Sequence, residues 1–392
     1  MRRKNIPSPN SKKYGVPLYS VGWVLIRFKD RDRSGDNGEV SNSTQYYVVL
    51  AGGGGEGRSG IPNAVLISSF DSDTNSLSDH PVFKLETRSD LPYRTAVHPN
   101  GDGVLCSFPN SCRWYEMGEK GSEELYKLIL KESDKLQPRL EDVGQQLSLV
   151  FNNEGSALAA GGEDGNLRVF EWPSMVIILD EASAHKSVKD LDFSPDGKYL
   201  VSLGNSGPAK VWDLTSKTTT ASLPKENDEV FCFCRFSVSN DANQVLYIAA
   251  ATGKGGSIVT WDTKTWKRIG SKTVVRDTIS AFSVSPDGKF LACGTTQGDV
   301  FILNSASKQV QTVVRKAHLG FVTALSFSHD SRALASVSLD SSARVTLIEE
   351  KKEAGELSLW VVFVILLAVV AYFMKNQGIQ LGATVLKIFK SL

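Results

Sequence analysis

From about residue 95 onward the chain repeats itself. The unit is an apolar strand, a turn of the Ser-Pro-Asp-Gly kind and a second apolar strand ending in small residues. A polar Asp-Gly turn and a third strand ending near Trp-Asp complete it. Leu191–Val201, running on to Lys210–Asp213, is the cleanest copy. Others are Ala96–Cys106, Leu149–Trp172, Cys234–Asp262, Ala281–Leu303 and Leu325–Ile348. Matching positions Phe151, Phe193, Phe236, Val284 and Phe327 stand 42, 43, 48 and 43 residues apart. A fixed period of this length means one small sheet per repeat, which cannot bury its apolar face alone and must stack on its neighbours.

The copies resemble WD repeats, whose four-stranded blades have a period of roughly 40–45 residues. With a first sheet upstream, the resemblance implies an all-β fold, a seven-bladed WD-repeat-type β-propeller over residues 14–350. His185 and His318 precede their repeats as the WD histidine does, and are expected to hydrogen-bond within their blades. Trp172, Trp212 and Trp261 are expected to pack between blades. The turns Asp164-Gly165, Asp196-Gly197 and Asp287-Gly288 call for positive φ at glycine. Glu123–Gln137 is charged, with apolar Leu125, Leu128, Ile129 and Leu136. It reads as a short helix or an irregular outer strand, with an insertion between blades preferred.

The unusual stretch is Ala51–Asn63. Four consecutive glycines, Gly52, Gly53, Gly54 and Gly55, are followed by Glu56, Gly57, Gly60, Ile61 and Pro62. It joins two strand-like runs, Tyr46–Leu50 and Ala64–Phe70, and is far longer than a hairpin turn needs. Gly55–Gly60 spells G-x-G-x-x-G, but a pyrophosphate cradle requires a helix to follow, and extended apolar residues follow here. The phosphate-loop pattern fails too, because Ile61 stands where lysine is needed. Two readings remain at this point: a long flexible hairpin, or a rigid carbonyl-lined loop that holds a monovalent cation and is displayed to a protein partner.

Other features bound the class. Net charge is +1, with no basic patch, which argues against nucleic-acid binding. Cys106, Cys112, Cys232, Cys234 and Cys293 lie mostly in apolar runs and read as reduced buried thiols. Alternation would put Cys232 and Cys234 on one strand face as filling, with no second pair nearby for a metal. Residues 1–13 are basic and polar and are expected to be a disordered leader, not a signal peptide. After a charged linker at 351–356, residues 357–374 carry no charge over 18 positions. That length predicts a transmembrane helix. Trp360 and Tyr372 sit near its ends, and 375–392 forms a short lumenal tail if the thiol-bearing propeller is cytosolic.

Three features taken together resemble the Sec-twelve family: the run Gly52–Asn63 on the first blade, six WD-like blades after it, and a single C-terminal span. These are endoplasmic-reticulum membrane exchange factors that start COPII coat assembly, and the wording of the blades is similar to plant members. The resemblance implies guanine-nucleotide exchange on the small Ras-like GTPase Sar-one, in its GDP-bound and nucleotide-free forms. It also implies a potassium ion held by backbone carbonyls of Gly52, Gly53, Gly54, Gly55, Glu56, Gly57 and Gly60, with Glu56 as a possible ligand only. It places the main catalytic contribution on Asn63, with Ile61 and Pro62 packing on the GTPase. Such a protein regulates another enzyme and does no covalent chemistry itself. The competing reading is a non-exchange endoplasmic-reticulum exit adaptor or scaffold for membrane transporters. A related plant branch shares the propeller-plus-span plan without the exchange residues, whereas here the motif is complete through Asn63.

Overall fold

Strands rich in valine, leucine and alanine, separated by Asp-Gly turns, have one way to hide two apolar faces: each sheet stacks on the next until the ring closes. The computed structural model describes residues 10–29, 42–57, 59–120, 127–133, 139–226, 228–238 and 244–348, together with Ala368, Val369 and Tyr372. Among these residues seven antiparallel sheets form, six of four strands and one of five. Their innermost strands touch in sequence around the ring, and the last meets the first. Seven apolar clusters each bridge two neighbouring blades. The all-β, seven-bladed expectation therefore holds.

The first blade carries β2 (Leu18–Lys29), β3 (Asn42–Gly52), β4 (Asn63–Asp71), β5 (Ser76–Leu77) and β6 (Phe83–Arg88). Its seam with the last blade buries Leu18, Leu50 and Leu66 against Ala335, Val337 and Val345. Trp23 Nε1 donates to the Ser326 carbonyl at 2.9 Å, and Thr323 Oγ1 to the Leu18 carbonyl at 2.6 Å. A leader ending at Lys13 was expected. Instead β1 (Ser11–Lys13) pairs with Ser342–Arg344 and becomes the outermost strand of the last blade. Residues 1–9 lie outside those described.

Lys127–Ser133 is likewise no insertion between blades. It is the outer strand of the second blade and pairs residue by residue with Trp114–Lys120. Leu128 and Leu130 point into the seam with the first blade, which is why a charged segment still carries apolar residues.

The blade details follow the repeat. His185 Nε2 and Trp212 Nε1 both meet Ser202 Oγ, each at 2.8 Å. His318 lies between Ser342 Oγ at 2.6 Å and Ser336 Oγ at 2.8 Å, and burial pulls its pKa down to about 4. Gly165, Gly197 and Gly288 have φ of +76°, +69° and +72°. All five cysteines are free and buried, and burial pushes the Cys112 thiol up to about 12. A bulge between Phe231 and Phe233 interrupts the regular alternation at Cys232.

Residues 349–392 form a second unit. The expected span, 357–374, falls there and almost wholly outside the described residues; Ala368, Val369 and Tyr372 are helical and exposed. Among the described residues no helix is long and apolar enough to cross a membrane.

Candidate functional site

The glycine stretch leaves the sheet where β3 ends. Gly52 is still paired with Leu18 on one side and Ala64 on the other. Gly53 N–H then donates to the Pro17 carbonyl at 2.9 Å, which ties the foot of the loop to the segment entering β2. The chain turns at Gly55–Glu56 and returns through Ser59, Gly60, Ile61 and Pro62 to Asn63, the first residue of β4.

Asn63 closes the loop. It is only 2% exposed, and its carboxamide is fully engaged inside the protein. Gly55 N–H donates to Oδ1 at 2.9 Å. Nδ2 donates to the Gly55 carbonyl at 3.2 Å and to the Arg88 carbonyl at 3.0 Å. One side chain thus pins the turn of the loop to its own return strand and to the end of β6. An aspartate would keep one of these bonds, and an alanine none.

Several glycines are demanded by this geometry: a β-carbon on Gly52 would stand 1.9 Å from the Pro17 carbonyl oxygen. Gly53 has φ +151°, and a β-carbon there would stand 2.1 Å from Asn63 Oδ1 and 2.5 Å from Asn63 Cα. Gly55 has φ +78°, a conformation that costs other residues on the order of 1–2 kcal/mol. The loop is thus fastened at its foot by Pro17 and at its turn by Asn63, in the form of an arch.

Ile61 and Pro62 are exposed, as are Glu56, Gly57 and Gly60. Ile61 N–H meets Ser59 Oγ at 3.3 Å. The arch hides its polar fastening and displays an apolar pair. Arg88 stands beside it, exposed, with φ +57°. Of the sequence-predicted residues, Gly53 and Gly55 build the arch, Asn63 locks it and Ile61-Pro62 form its outer surface. Sequence reasoning missed three partners: Pro17, Ser59 and Arg88. The first two were legible only as a proline before the first strand and a hydroxyl within the motif.

The space beside the glycines has a chemistry. Gly54 is closely packed: a β-carbon there would stand 2.2 Å from Ser59 Oγ and 2.9 Å from both Ile61 Cβ and the Ile61 carbonyl oxygen. Neutral carbonyl and hydroxyl oxygens suit a large, weakly hydrated monovalent ion, while calcium and magnesium sites draw on carboxylates. Among the described residues no three His, Cys, Asp or Glu side chains gather as a metal cluster. The two oxygens beside Gly54 are of that neutral kind.

Comparison with known proteins adds the following. The family model "WD domain, G-beta repeat" matches residues 178–213 and 307–346. The chain is 53% identical over 366 residues to SEC12-like protein 2 of Arabidopsis thaliana, covering 91% of this chain and 92% of that one. It is 33% identical over 311 residues to SEC12-like protein 1 of the same plant, covering 78% and 75%. It is 24% identical over 400 residues to the guanine nucleotide-exchange factor SEC12 of Mus musculus, covering 87% and 92%.

Proposed function

The chain belongs to the SEC12 family, and on that premise we propose that it is a guanine-nucleotide exchange factor. Its substrate would be a small Ras-like GTPase of the Sar-one type, whose GDP release starts COPII coat assembly at the endoplasmic-reticulum membrane. The observation that carries the reading is the arch: a glycine loop with its polar fastening buried and Ile61-Pro62 held outward.

Exchange requires no covalent step. A GTPase holds its nucleotide through a phosphate loop, a magnesium ion and switch segments. A partner that binds the nucleotide-free form more tightly must, by reciprocity, weaken nucleotide binding by the same factor. Ile61 and Pro62 supply the apolar contact with the switch region. Asn63 acts through the arch: its three hydrogen bonds hold the loop in the docking shape before the partner arrives. An arch already ordered loses less conformational entropy on docking than a mobile loop would.

A potassium ion bound by the Ser59 hydroxyl and loop carbonyls such as that of Ile61 would add positive charge and further stiffening. Of the seven carbonyls expected to hold it, Gly52 lies in the sheet ladder and that of Gly55 accepts from Asn63. Residues 357–374 are proposed as a single membrane span with the propeller cytosolic and 375–392 lumenal.

The test is GDP release from a Sar-one GTPase loaded with fluorescent GDP, using the full chain in detergent. We expect wild type to accelerate release at least a hundredfold, Ile61→Ala to lose most of that, and lithium in place of potassium to weaken it. A full chain that leaves release unchanged, yet retains the GTPase on a column, would point instead to a non-exchange adaptor for endoplasmic-reticulum exit.

A further inference from the structure

The arch is small for the task assigned to it. Ile61 is its one large apolar side chain, and it is 38% exposed. A specific interface takes about 800 Å² from each partner and 20–30 residues a side. The rest of the footprint must come from neighbouring surface on the same face of the ring.

The last blade offers that surface. Leu319 is 73% exposed and Phe321 53%, with Leu339 at 38% beside them. Leu319 exceeds every other large apolar residue among those described. These side chains are displayed by firm backbone. Leu319 N–H donates to Asp340 Oδ2 at 2.7 Å, and the preceding His318 is buried between two serines. Gly320 lies against the turn that carries Leu339: a β-carbon there would stand 3.1 Å from Ser338 Oγ and 3.3 Å from Asp340 N. Three apolar side chains are thus held outward by two loops fastened to each other.

The same stretch of chain braces both this patch and the arch. β1 ends at Lys13, opposite Ser342, so its end meets the turn 339–341. Tyr14 N–H donates to the Ser341 carbonyl at 2.9 Å, and Pro17 accepts from Gly53 N–H at 2.9 Å. Residues 14–17 therefore run directly from the Leu339 turn to the foot of the glycine arch. Four extended residues reach at most about 14 Å. A footprint of about 800 Å² is roughly 30 Å across, so one partner spans both features.

We propose that Leu319, Phe321 and Leu339 form a second contact surface for the GTPase that the arch engages. The patch supplies binding area and the arch supplies exchange. This rests on the exchange reading above. It also assigns the two parts different kinetic signatures: losing the patch weakens capture, while losing the arch slows release even at saturation.

The experiment is GDP release from the loaded GTPase, titrated with the full chain in detergent, for wild type, Leu319→Ser/Phe321→Ser, and Ile61→Ala. The double variant is expected to raise the half-saturating concentration at least tenfold while keeping the maximal rate within twofold of wild type. Ile61→Ala is expected to lower the maximal rate. The substituted side chains are exposed, so unfolding midpoints should agree within a few degrees; Leu339→Ser alone, with a smaller rise in half-saturation, provides a second reading. If wild type stimulates release and the double variant titrates like wild type, the patch is not part of the interface and the exchange reading stands. If wild type does nothing, both fall. If the double variant instead abolishes a dimer seen by sedimentation, with titration unchanged, a second copy occupies the patch and the proposal is overturned.

Discussion

Removing the Asn63 carboxamide is the sharpest perturbation of the arch. Asn63→Ala deletes three hydrogen bonds, to Gly55 N–H, the Gly55 carbonyl and the Arg88 carbonyl. A net worth of about 0.5–1.5 kcal/mol each would total a few kcal/mol. Water reaches the half-buried Gly55 side in the variant, so about 2 kcal/mol is the expected loss of local stability. That corresponds to roughly thirtyfold more opening of the loop. The Gly53 amide, bonded to the Pro17 carbonyl at the foot of the loop, reports that opening through hydrogen exchange. We expect its exchange about thirtyfold faster in Asn63→Ala, nearly as fast in Asn63→Asp, and GDP release impaired in parallel. Aspartate accepts from Gly55 N–H but sets a carboxylate against two carbonyl oxygens. Lost GDP release with Gly53 exchange unchanged would refute bracing and leave Asn63 as a direct contact with the GTPase.

Other expectations follow from the same geometry. Gly53→Ala forces a β-carbon onto Asn63 Oδ1 and should cut stimulated GDP release at least tenfold, with the unfolding midpoint of the whole ring little changed. Tyr14→Phe removes bonds to Ser68 Oγ at 2.6 Å and the Ser78 carbonyl at 2.9 Å. It should lower stability by about 1 kcal/mol in urea unfolding, because Ser68 and Ser78 still bond each other. His318 is neutral when folded, with a pKa near 4 against 6.5 when unfolded. The unfolded chain protonates first, so its contribution is complete above pH 6.5 and is lost as pH falls towards 4. The loss is about 3 kcal/mol at 1.36 kcal/mol per pH unit. Urea midpoints of wild type and His318→Gln, compared at pH 7.0 and 4.5, should show a shallower pH slope in the variant.

The ring itself was legible because Phe151, Phe193, Phe236, Val284 and Phe327 recur at nearly one period and Asp-Gly pairs mark turns between strands. Closure was not. β1 is three residues long and pairs with Ser342–Arg344 across more than 300 residues, so no local pattern announces it. Lys127–Ser133 was obscured by charge, since an outer strand keeps one face in water and only Leu128 and Leu130 betray the seam. The bulge at Cys232 shifts register without changing composition. At the site, the glycine run was visible and its fastening was not. Asn63 after Ile61-Pro62 looks like an exposed turn residue. It is buried because its partners, Gly55 and Arg88, arrive from eight and twenty-five residues away. The patch on the last blade is hidden in the sequence for a related reason. Leu319 and Phe321 read as ordinary apolar residues before a strand, and only folding shows them turned to solvent.

The most direct test is amide hydrogen exchange across Gly52–Asn63 in the full chain, alone and with nucleotide-free GTPase. An arch made before docking predicts that Gly53 and Gly55 amides, bonded to Pro17 and Asn63, are already protected in the free chain. Protection should then spread through Ile61 on complex formation. Exchange of the whole segment at unfolded-chain rates in both states would contradict that account.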